Sequence, residues 1–367
     1  MPALKTLSYN RAQEFSFHQQ LMQRASAYLA QKQDHKFADF SVFWRIILLS
    51  VLAIAGYCLV LTQDSIVLFA LGFCLFFFCS MLMNLTGHHD STHSALFRKR
   101  WMNRCFSRLV TLPLGVDPDY WRVRHTQFHH VYPNIEPYDL DMEENGILRQ
   151  SPYQEWKPHM RYQLWYWPLV AALSLPYIAW VFDWSDRLGK TQLKYTSVLR
   201  GVSGWVVFIS FKLLHLIIAL VLPIYFASAH GISTGTVVLI YCLAQMLCSL
   251  VVVLLLLGTH WAEAKFYQLP EGGKMSIGWY ALNFNTTCDW HLPRWAYPWL
   301  GGINLHLTHH LFPNWSYRHY PALAKIIGEL AREQHMPYRY LSQRELFQSQ
   351  RRFLTAMAQR NDASSKG

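Results

Sequence analysis

Four long apolar runs are the feature of this sequence that most restricts its fold. They extend from Trp44 to Leu61, from Ile66 to Leu85, from about Phe208 to Phe226, and from Thr236 to Leu257. Each is close to the roughly 20 residues that a helix needs to cross a hydrocarbon core about 30 Å thick. Because a helix satisfies its own backbone hydrogen bonds in lipid, the runs predict an all-α integral membrane protein. Its four transmembrane helices would form two hairpins.

The positions of Lys and Arg predict which side of the membrane each connection occupies. The connections within the hairpins, 62–65 and 227–235, contain neither residue, whereas the N-terminus, the block 86–204 and the C-terminal block hold nearly all of them. By the positive-inside rule those three blocks are cytoplasmic. No apolar signal-peptide region precedes Trp44, so the first transmembrane helix is expected to act as its own insertion signal.

A fifth apolar stretch, Trp165 to Phe182, has the features of an interfacial segment. It is interrupted by Pro168 and Pro176 and is rich in Trp and Tyr. A fifth crossing would also separate the histidines near residue 306 from those near residues 89 and 125. The predicted organisation is therefore a cytoplasmic N-terminal segment (1–43), a membrane domain with a cytoplasmic helical cap (44–335) and a cytoplasmic C-terminal tail (336–367).

Two ionisable residues, Lys212 and His215, fall inside the third apolar run. Lys212 lies toward the cytoplasmic start of that helix, so its ammonium group is expected to extend to the lipid headgroups. His215 lies about one turn deeper and is expected to pair within the bundle.

Three histidine clusters lie in the blocks predicted to be cytoplasmic. They are His89 and His93; His125, His129 and His130; and His306, His309 and His310. Residues three or four apart share one face of a helix, so each cluster can present its imidazoles to a common centre. Eight imidazoles exceed the four ligands of one zinc ion, which predicts a site for two metal ions. Imidazole binds iron, zinc, copper and nickel alike, so the ligands alone do not select the metal.

Further candidate residues lie next to these clusters. His260 directly follows the fourth apolar run on the same predicted side and is a ninth candidate ligand. His88 diverges from His89 by about 100° on a helix and is expected outside the ligand set. Ring N–H groups of metal-bound histidines usually donate to carboxylates. The candidate acceptors, which could equally be solvated or helix-capping acids, are Asp90, Asp139, Asp141, Glu263 and Asp289.

The remaining composition argues against two other classes of protein. The net charge of +11 comes from basic residues spread through the polar segments, which suits anionic lipid headgroups better than nucleic acid. The seven cysteines include no C-x-x-C pair and lie mostly in apolar runs, so they predict neither a disulfide framework nor a zinc site.

The three clusters resemble the histidine motifs of the membrane fatty acid desaturase superfamily, which are H-x-x-x-H, H-x-x-x-H-H and H-x-x-H-H in that order. The similarity includes Trp121 to His125, Asn134 to Asp141, Gly301 to Asn304 and His310 to Pro313, and it covers about residues 40–335. It is closest to the bacterial acyl-CoA or acyl-lipid branch often labelled linoleoyl-CoA desaturase-like. One departure is His306, because front-end desaturases commonly have Gln at that position.

The resemblance implies that the eight motif histidines, together with His260, bind two iron ions. It implies that O2 is the co-substrate and that two hydrogens leave adjacent methylene carbons of a fatty acyl-CoA or acyl-lipid, giving a cis double bond. A di-iron hydroxylase of acyl chains, alkanes or lipids would use the same ligands and is the alternative. A membrane metal carrier is a further possibility, although carriers usually hold their ligands near the middle of the bilayer.

The resemblance also carries expectations about partners and location. The His-Pro-Gly-Gly haem motif of a fused cytochrome b5 domain is absent, so electrons are expected from ferredoxin, a flavin reductase or free cytochrome b5. The head group of the substrate is expected near Trp121, Arg122 and Arg124 at the cytoplasmic face. The family branch points to a bacterial inner membrane.

Overall fold

The computed structural model of the protein describes residues 7–10, 14–195, 198, 200–260 and 264–360, and it is mostly helical. Within these residues the α-helices are α1 (Phe15–Lys32), α2 (Phe40–Thr62), α3 (Ile66–Met83), α4 (His89–Thr92), α5 (Arg100–Thr111), α6 (Pro118–Val123), α7 (Gln163–Tyr177), α8 (Asp183–Arg187), α9 (Gly201–Leu216), α10 (Leu222–Ala229), α11 (Thr234–His260), α12 (Trp279–Thr286), α13 (His306–Leu311), α14 (Tyr320–Glu333) and α15 (Gln343–Ala358). The short strands are β1 (Ile135–Glu136), β2 (Tyr267–Gln268), β3 (Asp289–Trp290) and β4 (Tyr340–Leu341). They form the parallel pairs β1–β2 and β3–β4.

Several helices continue through π-helical turns, in which the backbone carries one extra residue per turn. Such turns join α3 to α4 (Asn84–His88), α7 to α8 (Ile178–Phe182) and α9 to α10 (Ile217–Val221). Another extends α6 from Arg124 to His129. Isolated π turns occur frequently at functional sites. Here the first leads directly into one histidine motif and the last contains another.

Five helical stretches are long and apolar enough to cross a membrane, where the sequence predicted four. They are Phe40–Thr62, Ile66–Thr92, Pro158–Arg187, Gly201–Ala229 and Thr234–Leu256. The four predicted runs lie almost entirely within four of these stretches, although the helix containing Phe208 begins earlier, at Gly201. The additional stretch contains the segment 165–182 that was interpreted as interfacial.

The hairpin of α2 and α3 is held by a close approach of two glycines. A Cβ atom added to Gly56 would lie 2.8 Å from the carbonyl oxygen of Gly72, and one added to Gly72 would lie 2.8 Å from that of Gly56. Contacts this short do not occur for real side chains, so glycine at both positions allows the two backbones to touch.

Helix α7 packs against helix α11, and the two helices run antiparallel. Ser249 of α11 donates a hydrogen bond to the carbonyl of Ala171 and accepts one of 3.0 Å from the N–H of Leu175. Just beyond α7, in the π turn Ile178–Phe182, the indole of Trp180 donates to the hydroxyl of Tyr241, at 2.8 Å. The stretch expected on the membrane surface therefore packs along the side of a membrane helix.

Lys212 does not extend to the headgroups as predicted. Its side chain is buried, and its ammonium group donates to Asp183 at 2.6 Å and to the carbonyls of Gly115 and Ala179 at 2.7 Å. The carboxylate of Asp183 also accepts from the N–H of Asp117, at 2.7 Å. A paired ammonium group needs no water, which explains why the side chain stays inside. His215 does pair within the bundle, with the carbonyl of Leu112 and the hydroxyl of Tyr241.

The remaining helices pack on one another and against the membrane-length helices. Phe17 and Leu21 of α1 share an apolar core with Leu323 and Ile327 of α14. The C-terminal helix α15 begins with a capping box between Ser342 and Glu345. Its buried face packs against α7 and α11, which ties the end of the chain to the bundle.

Candidate metal centre

The imidazoles of the three histidine motifs converge into two neighbouring groups. The first group is His89, His93, His125 and His309, and the second is His129, His306 and His310. Within each group the candidate ligand atoms lie within 4.8 Å of one another. The second and third motifs contribute to both groups, so residues distant in sequence are required to build either one.

His130 lies between the two groups. Its ring centroid is 4.5 Å from that of His93 in the first group and 4.3 Å from that of His310 in the second. Its Nε2 atom lies 3.1 Å from Nε2 of His125, and the side chain is buried. All eight histidines of the three motifs therefore meet in one region.

The π turn explains how neighbouring histidines of the second motif reach different groups. The N–H of His130 donates to the carbonyl of His125, five residues earlier, at 3.0 Å. His125 faces His89, with 3.3 Å between their Nε2 atoms, whereas the ring of His129 lies 5.0 Å from that of His310. The α-helical spacing assumed from sequence paired His125 with His129. These two residues and Asp141 do form a third group of candidate ligands, while His125 also belongs to the first group and His129 to the second.

The nitrogen positions fit metal ions. Nε2 of His93 and Nε2 of His309, both in the first group, are buried without a hydrogen-bond partner among the described residues. Leaving such atoms unpartnered is unfavourable, and a cation would supply the missing interaction. Two nitrogens bound to one ion at about 2.1 Å lie roughly 3.0–3.4 Å apart. Nε2 of His306 and Nε2 of His310 are separated by 3.2 Å, which agrees with that range.

The surroundings keep most of these imidazoles neutral. Burial lowers the pKa of His93, His130, His306 and His309 well below its usual value, and neighbouring histidines lower it further. A neutral imidazole is the form that binds a metal ion. His129 differs: burial lowers its pKa, but Asp139 and Asp141 outweigh that effect and raise the pKa to about 9. A bound cation would displace the proton from its ligating nitrogen.

Two of the predicted carboxylates contact ligand candidates. The ring Nδ1 of His129 lies 2.9 Å from Asp139, and that of His125 lies 3.1 Å from Asp141. Asp139 is itself held by the N–H groups of Asn134 and Asp141. With Nδ1–H donating to a carboxylate, each imidazole directs the lone pair of Nε2 toward the group.

The other predicted carboxylates lie elsewhere or outside the described residues. Asp90 is buried and accepts from the backbone N–H of Tyr317, at 3.2 Å. Asp289 accepts from the N–H of Leu307 and the hydroxyl of Thr308, each at 2.8 Å, and thereby fixes the start of α13. Glu263 and the side chain of His260 lie outside the described residues; the helix α11 ends at His260.

Two partners of the third motif were missed from sequence. His309 Nδ1 lies 2.9 Å from the hydroxyl of Tyr320, and His310 Nδ1 lies 2.9 Å from Oδ1 of Asn283. The amide nitrogen of Asn283 donates to the carbonyl of Trp279, at 2.8 Å, which leaves its oxygen to accept from His310. Neither residue carries a charge or a motif, and Asn283 is 27 residues from His310, so no sequence signal marks them.

The residues expected near a substrate head group have different environments. Trp121 stacks on His125, with ring centroids 4.5 Å apart and an interplanar angle of 15°. Arg124 is buried and pairs with Asp186, at 3.0 Å from Nε, and with Glu143, at 2.9 Å. The guanidinium of Arg124 thus anchors the second motif to α8, and its expected place near a head group stays a prediction. Arg122 is only partly buried and faces a separate cleft.

A glycine loop brings the third motif against the first. Gly301 has a φ of +61°, and a Cβ atom there would lie 2.1 Å from the carbonyl oxygen of Leu85. Glycine is thus required both by the backbone conformation and by the contact. Leu85 lies in the π turn before His89, and Gly301 lies five residues before His306, so this contact sets the two motifs beside each other.

Comparisons with known proteins agree with this geometry. The family model described as "Fatty acid desaturase" matches residues 64–342. The chain is 28% identical over 249 residues to sn-1 linoleoyl-lipid 6-desaturase of Arthrospira platensis, covering 67% of this chain and 66% of that relative. It is 26% identical over 358 residues to the enzyme of the same name from Synechocystis, covering 94% and 96%. It is also 26% identical over 346 residues to acyl-lipid (8-3)-desaturase of Physcomitrium patens, covering 91% and 69%.

Proposed function

The chain belongs to the fatty acid desaturase family, and we propose that it uses O2 and two iron ions to introduce a cis double bond into the acyl chain of a lipid. The two adjoining histidine groups are the observation that carries this proposal, because they supply neutral nitrogen ligands for two ions in a buried site. The preference for an acyl-lipid over an acyl-CoA rests on the names of the relatives, which are acyl-lipid desaturases.

The proposed ligands are the eight histidines of the three motifs together with His260. When bound, the iron ions supply with O2 the oxidising chemistry that a saturated chain requires, because its C–H bonds offer neither an acidic proton nor a leaving group. The protein contributes orientation. Asp139, Asp141, Asn283 and Tyr320 hold the ligand rings, while the apolar bundle delivers the acyl chain and the cap retains the head group.

We further propose that four of the five candidate stretches cross the membrane and that Pro158–Arg187 does not. The histidines before and after this region meet, which requires an even number of crossings between them. Both ends of the stretch also contact the segment 93–157, in which no candidate span was found: Gln163 accepts from the N–H of Arg149 at 3.0 Å, and Asp186 pairs with Arg124. A helix whose two ends contact the same polar segment enters the bilayer without traversing it.

The remaining parts of the proposal concern the location of the protein and its electron donor. The N-terminal segment (1–43), the cap of the membrane domain (44–335) and the C-terminal segment (336–367) lie on the cytoplasmic side of a bacterial inner membrane. Electrons come from ferredoxin, a flavin reductase or cytochrome b5. The net charge of +11 would attract an acidic donor to the cap.

The test is fatty acid analysis of a heterologous host that expresses the full chain with an electron donor. Gas chromatography with mass spectrometry would compare wild type, His309→Ala and His159→Ala, with dimethyl disulfide adducts locating double bonds. His309 carries an unpartnered buried nitrogen in the first group, whereas His159 is exposed and lies outside both groups. We expect a new unsaturated acid with wild type and His159→Ala but not with His309→Ala.

Other outcomes would redirect or overturn the proposal. A product heavier by one oxygen would identify a hydroxylase. Unchanged lipids from membranes in which the protein carries two irons per chain would contradict desaturation of the acyl chains of the host. Equal loss of product in both variants would mean that the histidine groups are not specifically required.

A further inference from the structure

A small polar cleft lies beside the first histidine motif, between α4, α5 and α6. Its lining includes Thr92, Ser107, Asp119 and three arginines, Arg104, Arg108 and Arg122. The enclosed space is about the size of one water, and of the three arginines Arg104 is exposed whereas Arg108 and Arg122 are half-buried. The cleft is separate from the two histidine groups, although Thr92 directly precedes His93.

Two polar atoms of the cleft lack partners. The hydroxyl of Thr92, a residue that is 5% exposed, is buried without a hydrogen-bond partner among the described residues, and so is Nε of Arg122. Both atoms can donate a hydrogen bond. Two unpartnered donors at the wall of one cleft indicate that an acceptor belongs there.

The charges of the cleft indicate that this acceptor is an anion. Asp119 is the acidic residue of the lining. Its carboxylate accepts hydrogen bonds from Arg108, from Nε at 2.9 Å and from an Nη atom at 2.7 Å. Arg104 and Arg122 have no carboxylate partner among the described ion pairs. Burial lowers the pKa of Arg122; Asp119 raises it, and the guanidinium groups of Arg104 and Arg108 lower it further. The cleft therefore holds an excess of positive charge that an anion would neutralise.

A phosphate fits this arrangement better than other common anions. Guanidinium groups bind phosphate oxygens through parallel N–H···O bonds, and a hydroxyl can donate to a further oxygen of the same group. The enclosed space admits one oxygen, and the arginines of the lining, of which Arg104 is exposed, can contact the rest of the group.

We propose that Arg104, Arg122 and Thr92 form a binding site for the phosphate group of the acyl substrate's carrier. This inference deepens the proposed function and rests on it for the identity of the ligand as substrate. The phosphate could belong to a glycerophospholipid or to coenzyme A, since both carry an acyl chain and the same anionic group.

The outer face of α5 places the cleft at a lipid surface. Trp101, Cys105 and Leu109 follow one another at four-residue spacing, and all three are exposed. Arg98, Lys99 and Arg100 precede them. An apolar stripe bordered by basic residues suits a helix that lies among lipid headgroups. A phospholipid in the same leaflet could then bring its phosphate to the cleft while its acyl chains remain in the hydrocarbon.

The experiment measures binding to the full-length protein after lipid removal, in a neutral maltoside detergent, by microscale thermophoresis. The probes are dioleoyl phosphatidylglycerol, coenzyme A, and a phosphate-free monogalactosyl lipid with the same oleoyl chains. We expect at least one phosphate probe to bind wild type tenfold or more tightly than the galactolipid. The double variant Arg104→Gln/Arg122→Gln should lose at least tenfold in affinity for that probe and keep its affinity for the galactolipid.

The matched control is Arg98→Gln/Arg100→Gln, which removes the same charge from the exposed segment just outside the cleft. It should change phosphate binding less than threefold at 150 mM salt, because exposed charges are screened at that ionic strength. Arg122→Lys keeps the charge but loses the planar fork, so its affinity should lie between those of wild type and the double variant. Retained binding of the galactolipid reports that each variant is folded.

The probes distinguish the two sources of phosphate. Binding of phosphatidylglycerol alone identifies a lipid carrier, binding of coenzyme A alone identifies a thioester carrier, and binding of both identifies a site for phosphate in general. Equal affinity of wild type for phosphate and galactolipid probes would overturn the inference, and so would an equal loss in the control. Because binding is measured without turnover, a failure of desaturation would leave this result intact, and the two proposals can fail separately.

Discussion

At the scale of single residues, the uncharged partners of the third motif are expected to determine how well it holds a metal. Asn283→Leu removes the acceptor for His310, and Tyr320→Phe removes the hydroxyl beside His309. Loss of such a partner typically lowers metal affinity by roughly 10- to 100-fold, because the ring is no longer fixed in the ligating tautomer. We expect both variants, once loaded with iron, to retain less than half as much of it as wild type does after dialysis against a chelator, measured by plasma mass spectrometry.

The control for this prediction is Tyr338→Phe, which removes a partly buried hydroxyl that donates to Asp289 at 2.9 Å without contacting a histidine. Its iron content should equal that of wild type at the same chelator concentration. Full iron retention in Asn283→Leu and Tyr320→Phe would contradict the orienting role of both side chains.

The buried pair of Lys212 and Asp183 leads to a prediction about stability. Lys212→Met leaves the Asp183 carboxylate without its cation inside the protein, and breaking such a pair costs about 3–5 kcal/mol. The double variant Lys212→Met/Asp183→Leu removes both charges and should recover most of that loss. Thermal unfolding in detergent would compare the three proteins, and a double variant as unstable as the single one would refute the explanation.

At this scale the sequence predicted the residues whose partners are near along the chain and did not predict those whose partners are distant. The histidine motifs could be identified because their spacing is short, and the acids Asp139 and Asp141 follow His129 and His125 by only 10 and 16 residues. Asn283, Tyr320 and the acid that pairs with Lys212 could not be found, since tertiary packing alone brings them into contact. The expectation for Lys212 was wrong for the same reason.

At the scale of helices, the π turns account for the main difference between pattern and structure. The long apolar runs identified α2, α3 and α11, whose lengths follow from them. They could not reveal that the helix before His89 and the one holding His125 gain an extra residue in one turn. A π turn needs only one additional residue, yet it rotates every following side chain relative to those before it.

The contact between α2 and α3 provides a test at the same scale. Gly56→Ala would place a methyl group 2.8 Å from the carbonyl of Gly72, so the two helices must separate. We expect a loss of about 1–3 kcal/mol, typical of overpacking in a close-packed interior. The reference is Gly235→Ala, where the nearest atom to the added methyl is Oγ of Ser233 at 3.9 Å.

Unfolding of the Gly56→Ala and Gly235→Ala variants by sodium dodecyl sulfate in mixed micelles would measure this difference. The Gly235→Ala variant should match wild type or exceed it slightly, because alanine favours the start of helix α11. Equal midpoints for the two variants would show that the backbones do not touch.

At the scale of the whole molecule, the number of membrane crossings can be tested by chemical labelling. Lys190 lies just after the stretch Pro158–Arg187, and His230 lies between α10 and α11; both are exposed. In intact bacterial cells, a membrane-impermeant maleimide should label a His230→Cys variant but not a Lys190→Cys variant. After cell lysis both should react.

The native chain, with its seven cysteines, serves as the background for this measurement. Labelling of Lys190→Cys in intact cells would mean that the fifth stretch crosses the membrane, and one of the other helices would then have to stay on one side. Only an even number of crossings between His130 and His306 is compatible with the meeting of the histidine motifs.

The division of the histidines between two groups has a consequence for how the protein is made. Each group includes at least one residue of the third motif, His309 in the first and His306 and His310 in the second. Neither group is therefore complete until the ribosome has synthesised the chain beyond residue 310 and both hairpins have been inserted. A nascent chain that stalls earlier holds only part of each ligand set, so full metal loading follows translation and marks the chains that have finished folding.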